Sequence, residues 1–156
     1  MLLGAPPALI GQPAAPPALV LGDFGDDHGH LYRITREAFE MLPRTRHHIV
    51  AWQPDRQFLI ARADSTASAP RGSWLRIDWM ALSGMAPYTW AYCFTAYSAP
   101  TADSARVTRS ADRTTPRTRC GGHPFPRMNR LDNTGQADSL RAPASSPAAL
   151  RGGGHS

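Results

Sequence analysis

Hydrophobic and polar residues alternate along several short stretches of the chain, as they do in β-strands that bury one face. The clearest stretch spans residues 74–82. One set of alternate positions is apolar and the other is mixed: Leu75, Ile77, Trp79 and Ala81 against Trp74, Arg76, Asp78 and Met80. This pattern predicts a strand with one buried face and one face of mixed character.

A second alternating stretch, residues 88–97, follows Ser83 and Gly84. One of its faces is aromatic and consists of Tyr88, Trp90, Tyr92 and Phe94. Two such stretches joined through Gly and Pro predict a β-hairpin. An aromatic row of this kind is most often part of a core. The alternatives are the lining of an apolar ligand pocket and a platform on which single-stranded nucleic acid stacks.

The first half of the chain contains shorter alternating segments. Residues 31–35 predict a strand that follows an acidic, glycine-containing loop. Residues 36–42 fit either a short helix or a strand, and Pro43 ends the segment in both cases.

Residues 47–52 and 57–63 predict a further hairpin, joined by a turn at residues 53–56. Strict alternation places His48, Val50 and Trp52 on one face of the first strand. His47 then lies on the opposite face from His48, so the two imidazoles do not serve one site.

The turn signals recur about every ten residues and separate about five strands, a pattern typical of all-β proteins. The sequence therefore predicts one antiparallel meander or small barrel within residues 23–130. Residues 1–22 are a Pro/Ala-rich leader, predicted to be disordered or the remnant of an export signal, and residues 131–156 are a predicted disordered tail. Beyond Pro100, Thr101 is a candidate N-cap for a short helical turn that extends to Arg106.

The net charge of +5 derives from arginine alone, because the 156-residue chain has 17 basic residues and no lysine. A basic chain can bind nucleic acid or an anionic membrane. These arginines are scattered, however, and GC-rich coding accounts for them equally well, which makes nucleic acid an unfavoured partner. Five prolines within residues 1–22 also argue against a transmembrane helix.

Cys93 and Cys120 are the two cysteines of the chain. In an oxidising compartment they can form one disulfide, whereas a cytosolic setting keeps thiols reduced. The alternatives are two separate buried thiols or a nucleophilic Cys93, for which no catalytic motif is present. If the disulfide forms, Cys120 has to reach the face of its strand opposite the aromatic row.

Two groups of polar residues are candidate sites. Residues 23–30 combine carboxylates and imidazoles that could hold a metal ion, namely Asp23, Asp26, Asp27, His28 and His30, although their spacing matches neither an EF-hand nor a zinc motif such as H-E-x-x-H. A solvated acidic turn is the favoured interpretation. Arg76 and Asp78, two positions apart on one strand face beside Trp74, predict a half-exposed ion pair or a polar ligand contact.

The chain also resembles small bacterial proteins of uncharacterised function that often carry an export or lipoprotein signal. The resemblance rests on Tyr32-Arg33-Ile34 after the acidic loop, the hairpin around Trp52, and residues 74–80, 87–93 and 120–128. It covers residues 23–130 and implies a compact secreted β-domain with no catalytic role.

These observations predict a binding or structural module without a cofactor, and they favour a non-enzyme over an enzyme. A small, partly apolar ligand would bind against Trp74, Arg76, Asp78, Tyr88, Trp90 and Tyr92. The alternatives are a metal-dependent enzyme that uses residues 26–30, and nucleic-acid binding through arginine and aromatic side chains. Export to the periplasm, the cell surface or the medium is expected if the true start lies upstream, and a cytoplasmic location otherwise.

Overall fold

In the computed structural model, which describes residues 14–64 and 69–132, eight strands form one closed antiparallel barrel. The strands are β1 (Gly22–Asp26), β2 (Leu31–Ile34), β3 (Ala38–Leu42), β4 (Thr45–Gln53), β5 (Phe58–Ala63), β6 (Trp74–Ala81), β7 (Tyr88–Ala99) and β8 (Arg127–Arg130). Each strand pairs with the next along the chain, and β8 pairs with β1 to close the barrel. The predicted all-β small barrel is confirmed.

Large apolar side chains fill the inside of the barrel, because alternate residues point inward wherever the strand pairing is regular. The buried interior includes Phe24, Tyr32, Ile34, Phe39, Ile49, Trp52, Leu59, Leu75, Ile77, Trp79, Trp90, Tyr92 and Met128. Their rings meet edge to face, as in the Phe24–Trp90 and Phe39–Tyr92 pairs, whose ring centroids are 5.3 Å apart. Each buried large side chain stabilises the barrel by roughly 1.5–3 kcal/mol.

Within the segment 36–42, residues Ala38–Leu42 form a strand and not a helix. In β3, Phe39 is buried in the interior and pairs with Ile34 of β2 on one side and His47 of β4 on the other. Pairing with β2 and β4 therefore determines that this segment is a strand, although its local pattern fitted a short helix equally well.

The assignment of residues to strand faces by strict alternation is wrong in two strands, because a register shift interrupts the pairing of each with its neighbour. In β4 the register shifts between Ile49 and Ala51, so Trp52 joins Ile49 in the interior while Val50 stays exposed. Such a β-bulge inserts one residue and reverses the face of those that follow.

In β7 the pairing with β8 shifts between Tyr88 and Trp90. Tyr88 is half-buried beneath the Arg127 guanidinium, 4.8 Å from its ring centroid, while Trp90 and Tyr92 remain in the interior. Tyr88 is thereby separated from the aromatic row to which alternation assigned it.

The packed structure begins before Asp23, where the sequence placed the end of the leader. A single turn of 3-10 helix at Ala18–Val20 inserts Val20 into the core, and Leu19 and Leu21 pack beside it. The remainder of the predicted leader, residues 1–13, and residues 133–156 of the predicted tail lie outside the described residues.

The connection between β7 and β8 forms a second layer on the outside of the barrel. This segment, residues 100–126, is called the outer segment below; it begins with helix α1 (Ala102–Val107). Thr101 caps the helix by accepting a hydrogen bond from the Ser104 N–H at 3.1 Å, which confirms the predicted cap. Ala105 then packs on Phe58 and Ile60, which point outward from β5.

Candidate functional site

The residues that the sequence singled out as ligand contacts are distributed over two sides of the barrel wall. Trp90 and Tyr92 point into the interior, whereas Arg76 and Asp78 lie on the outer face of β6. Trp74, also on the outer side, packs with the residues around α1, with the Arg62 guanidinium 5.6 Å from its ring centroid. The structure therefore does not bring these residues together into one site.

Trp90 and Tyr92 serve the core. Their side chains are buried between Phe24, Tyr32 and Phe39, and both are at most 3% exposed. A ligand would reach them only by displacing packed rings. The core interpretation of the aromatic row thus holds for these two residues.

Arg76 and Asp78 form an ion pair, but the prediction that it is half-exposed is wrong. Arg76 is 1% exposed and Asp78 is fully buried, with their closest N–O contact at 3.1 Å. The outer segment covers them and satisfies the Arg76 donors. The guanidinium donates to the main-chain carbonyls of Arg106 and Thr108 at 2.8 and 2.6 Å and to the Ser110 hydroxyl at 2.6 Å.

A second arginine approaches the same buried carboxylate from the outer segment. Arg113 donates to Asp78 at 3.0 Å, and its guanidinium also reaches the carbonyls of Gln57 and Trp79, both at 2.8 Å. Thr95 donates its hydroxyl to Asp78 as well. Because all of these groups are partnered, the cluster fastens the outer segment to the barrel and has no free group for a ligand.

The acidic turn between β1 and β2 is organised by hydrogen bonds. The Asp26 carboxylate accepts from the backbone N–H groups of His28 and His30, from the His30 imidazole at 2.9 Å and from the Tyr32 hydroxyl at 2.8 Å. Burial acts to raise the pKa of Asp26, but these hydrogen bonds outweigh it and hold the pKa below its usual value. Asp26 is thus an ionised turn anchor.

The hydrogen bonds of this turn continue into the barrel. The Tyr32 and Tyr92 hydroxyls are 2.9 Å apart, and because a carboxylate only accepts, Tyr32 donates to Asp26 and Tyr92 donates to Tyr32. Burial raises the pKa of both phenols well above the usual value, so both remain protonated.

Asp27, the next residue of the turn, pairs with Arg127 at the start of β8. The Arg127 guanidinium donates to the Asp27 carboxylate at 2.7 Å, and the Arg127 backbone N–H donates to it at 3.1 Å. Burial acts to raise the pKa of Asp27, and the contacts with Arg127 bring it below its usual value. Within residues 14–64 and 69–132, no three His, Cys, Asp or Glu side chains converge as a metal ion would require.

A partly apolar groove of about 430 Å³ lies near these groups on the outer wall. It lies between the β1–β2 turn, the loop after β6 and the outer segment. Its apolar surface comes from Leu82, Met85, Ala91, Pro116, Pro124 and Phe125. Asp27, His28, Arg117 and Arg127 contribute its polar edge. The structure thus places two of the predicted metal-ligand candidates, Asp27 and His28, at the edge of a groove.

The wall of the groove formed by the outer segment is held by a covalent bond. Cys93 and Cys120 form a disulfide, and Phe125 of the outer segment packs with Ala91 and Cys93 of β7. Both cysteines lie on the outer side of β7, opposite the aromatic interior, as the sequence predicted for a disulfide.

A tight turn returns the chain from Cys120 toward Phe125. Cys120 and His123 exchange backbone hydrogen bonds at 3.0 and 3.1 Å, and Gly121 and Gly122 between them both have positive φ. The Phe125 N–H then donates to the Pro116 carbonyl at 2.8 Å, which holds two lining residues of the groove together.

Sequence reasoning missed Met85, Arg117 and Phe125 as site residues. Met85 lies far along the chain from Arg117 and Phe125, all three are in segments without strand periodicity, and only the packing of the outer segment brings them to one groove. The one available signal was the resemblance over residues 120–128, which marked that region without assigning it a role.

Fold and site together define a disulfide-bonded, closed antiparallel barrel that carries an amphipathic groove on its outer wall. No model of a known protein family, no curated protein and no solved structure matches the chain. None of the helices in residues 14–64 and 69–132 is long and apolar enough to cross a membrane.

Proposed function

We propose that this barrel is a binding module that holds a small, partly apolar ligand in the groove beside the β1–β2 turn. The observation that carries the proposal is the composition of that groove, in which an apolar surface meets a few polar groups at its edge. This combination is typical of small-molecule sites. The main alternative within the molecule, the barrel interior, is occupied by packed aromatic rings.

Met85 makes the groove suited to apolar ligands. It is 37% exposed on the loop after β6, and it faces a surface to which Ala91 and Phe125 contribute. An unbranched thioether adapts to ligands of different shape. A bound apolar ligand would cover this side chain and gain the free energy of removing it from water.

The disulfide supports an exported protein, because such bonds persist in oxidising compartments. We extend the proposal to membership of the resembling bacterial secreted or lipoprotein-like family, whose late box corresponds to residues 120–128. That box provides Cys120 and Phe125, and both belong to the cluster that supports the groove.

The two alternative functions receive less support. A metal-dependent enzyme at residues 26–30 would require Asp26 to exchange its four hydrogen-bond donors for a metal ion. Nucleic-acid stacking on Trp90 and Tyr92 would require both rings to leave the core.

The proposal is tested with N-phenyl-1-naphthylamine, a neutral aromatic probe whose fluorescence rises in apolar sites. Met85→Ser removes apolar surface from the groove, and Val107→Ser removes an apolar side chain that is 80% exposed on α1. We expect the wild type and V107S to bind the probe with equal affinity. We expect M85S to bind about five- to tenfold more weakly, which corresponds to about 1–1.4 kcal/mol.

Two results would overturn the proposal. One is the absence of saturable probe binding to the folded wild type. The other is an equal affinity of M85S and the wild type, since the probe would then bind elsewhere on the molecule.

A further inference from the structure

We infer that the ligand of the groove is an amphiphilic anion, with its apolar body against Met85 and Phe125 and its negative group bound by Arg117. The inference rests on the proposed function and adds the chemical class of the ligand. It follows from the way in which the charges at the edge of the groove are partnered.

Three ionisable side chains at the edge are already engaged with one another. Asp27 and Arg127 form the ion pair at 2.7 Å, so their charges largely cancel, and the Arg127 guanidinium also covers the Tyr88 ring. His28 Nδ1 lies 3.1 Å from the Asp27 carboxylate. A cationic ligand would therefore have to compete with Arg127 for the carboxylate of this edge.

Arg117 contributes the remaining charge. Within the described residues, no carboxylate or carbonyl pairs with its guanidinium. The groove edge thus carries one uncompensated positive charge beside an apolar surface. A monoanionic ligand with an apolar body complements both features at once.

The backbone around Arg117 is held in place, so its side chain extends from a defined position. The N–H groups of Thr118 and Arg119 donate to the Thr115 carbonyl at 3.2 and 3.1 Å, which closes a turn around residue 117. The Phe125 N–H donates a hydrogen bond to the carbonyl of Pro116, the residue before Arg117. The cation and the apolar wall of the groove therefore belong to one hydrogen-bonded unit.

A single free arginine favours a carboxylate or sulfonate over a polyanion. Nucleic acid binds through several phosphates and requires a row of cationic groups, whereas the other arginine of this groove is paired with Asp27. The expected ligands are therefore aromatic or aliphatic acids that carry one negative charge.

The test compares two probes with the same aromatic skeleton. 1-Anilinonaphthalene-8-sulfonate carries one negative charge, and N-phenyl-1-naphthylamine carries none. Arg117→Gln removes the proposed anion contact, while Arg119→Gln removes an exposed arginine two residues further on that is not part of the groove lining. The wild type and the Met85→Ser, Arg117→Gln and Arg119→Gln variants are each titrated with both probes at low salt. Fluorescence then gives one pair of dissociation constants for each of the four proteins.

We expect R117Q to bind the sulfonate about tenfold more weakly and the neutral probe within twofold of the wild type. R119Q should bind both probes with the affinity of the wild type, and M85S should bind both probes more weakly. Added salt should reduce the affinity of the wild type for the sulfonate more than that of R117Q.

The possible failures are distinguishable. One failure is that M85S binds both probes more weakly than the wild type, while R117Q and R119Q bind the sulfonate as tightly as the wild type does. The groove then binds apolar ligands, and the anion inference is overturned. An equal weakening by R117Q and R119Q also overturns it, because general surface charge then explains the effect. If neither probe binds, or M85S weakens neither, the proposed function itself fails.

Discussion

At the centre of β6, the inner and outer faces are equally buried and chemically opposite. Ile77 points into the aromatic interior and is 1% exposed, while its neighbours Arg76 and Asp78 point outward and are just as inaccessible. The outer segment, not the barrel, buries the charged pair. Alternation of polarity along a strand therefore does not report exposure when a second layer covers the polar face.

The two layers also differ in how their polar groups are satisfied. In the outer layer, Asp78 receives hydrogen bonds from two arginines, Thr95 and the Ala111 N–H. In the interior, both ring nitrogens of His47 and the indole nitrogen of Trp90 have no hydrogen-bond partner among residues 14–64 and 69–132. The polar groups of the charged outer layer thus have hydrogen-bond partners, whereas these three polar atoms of the apolar core do not. Each unpaired buried polar group lowers the stability of the fold by about 1–3 kcal/mol.

Asp78→Asn should have the largest effect, because it removes the negative charge between Arg76 and Arg113 while preserving shape. We expect the free energy of unfolding to fall by ~3–5 kcal/mol, since two guanidinium groups then lose their buried counter-charge. Urea denaturation followed by tryptophan fluorescence measures the change.

The matched control is Asp103→Asn, which removes a carboxylate paired with Arg106 at 2.6 Å on the exposed surface of α1. We expect a loss below ~1 kcal/mol for this variant. Equal, small losses in both variants would contradict the view that the buried network fastens the outer segment.

Loss of the disulfide should have the next largest effect. Cys93 and Cys120 are 27 residues apart, and opening a loop of that size destabilises the folded state by roughly 3 kcal/mol in the chain-entropy model. The measurement is the free energy of unfolding with and without dithiothreitol. The double variant C93A/C120A should show no response to the reductant, and a wild type equally indifferent to it would refute the role of the bond.

His47→Leu tests the interior layer. Burial lowers the pKa of His47 to about 4, against the opposing charge of Asp64, so the imidazole is neutral in the folded state. The unfolded chain, with a pKa near 6.5, takes up the proton first as the pH falls. The stability contributed by neutral His47 is therefore complete above pH 6.5 and is lost progressively down to pH 4.

At pH 5 this effect amounts to about 2 kcal/mol. We expect H47L to lose stability less steeply than the wild type between pH 6.5 and 4, as measured by thermal unfolding across that range. The control is His48→Gln, on the exposed face of the same strand. Parallel pH profiles for H47L and the wild type would show that His47 is not the titrating group.

Thr101→Ala should have the smallest effect and concerns the outer layer alone. It removes the hydrogen bond to the Ser104 N–H at the start of α1 and should cost about 1 kcal/mol. Urea denaturation is the measurement, and exposed Ser98→Ala serves as control. A loss of several kcal/mol would mean that α1 depends on its cap more than on the packing of Ala105.

Local pattern was sufficient where the strand pairing is regular. The faces of β6, the cap of α1 and the turn at residues 53–56 were all predicted from neighbouring residues, and each is observed. Prediction was wrong at Trp52 and Tyr88 because a β-bulge depends on the partner strand, which local alternation does not include.

The short strands were harder to identify. β1 and β8 have five and four residues, too few to show a period, and they become strands by pairing with each other to close the barrel. Likewise, the 3-10 turn at Ala18–Val20 has a structural role only because the core accepts Val20.

The local sequence by itself determined the all-β class, the capped helix and the face on which Cys93 lies. Each of these features depends on the pattern of residues only a few positions apart. Tertiary structure decided that Arg76 and Asp78 are buried and that Met85, Arg117 and Phe125 share a groove. These properties arise from the outer segment lying across the barrel wall, where groups thirty or more residues apart become neighbours. Contacts at that separation leave no period in the sequence from which they could be predicted.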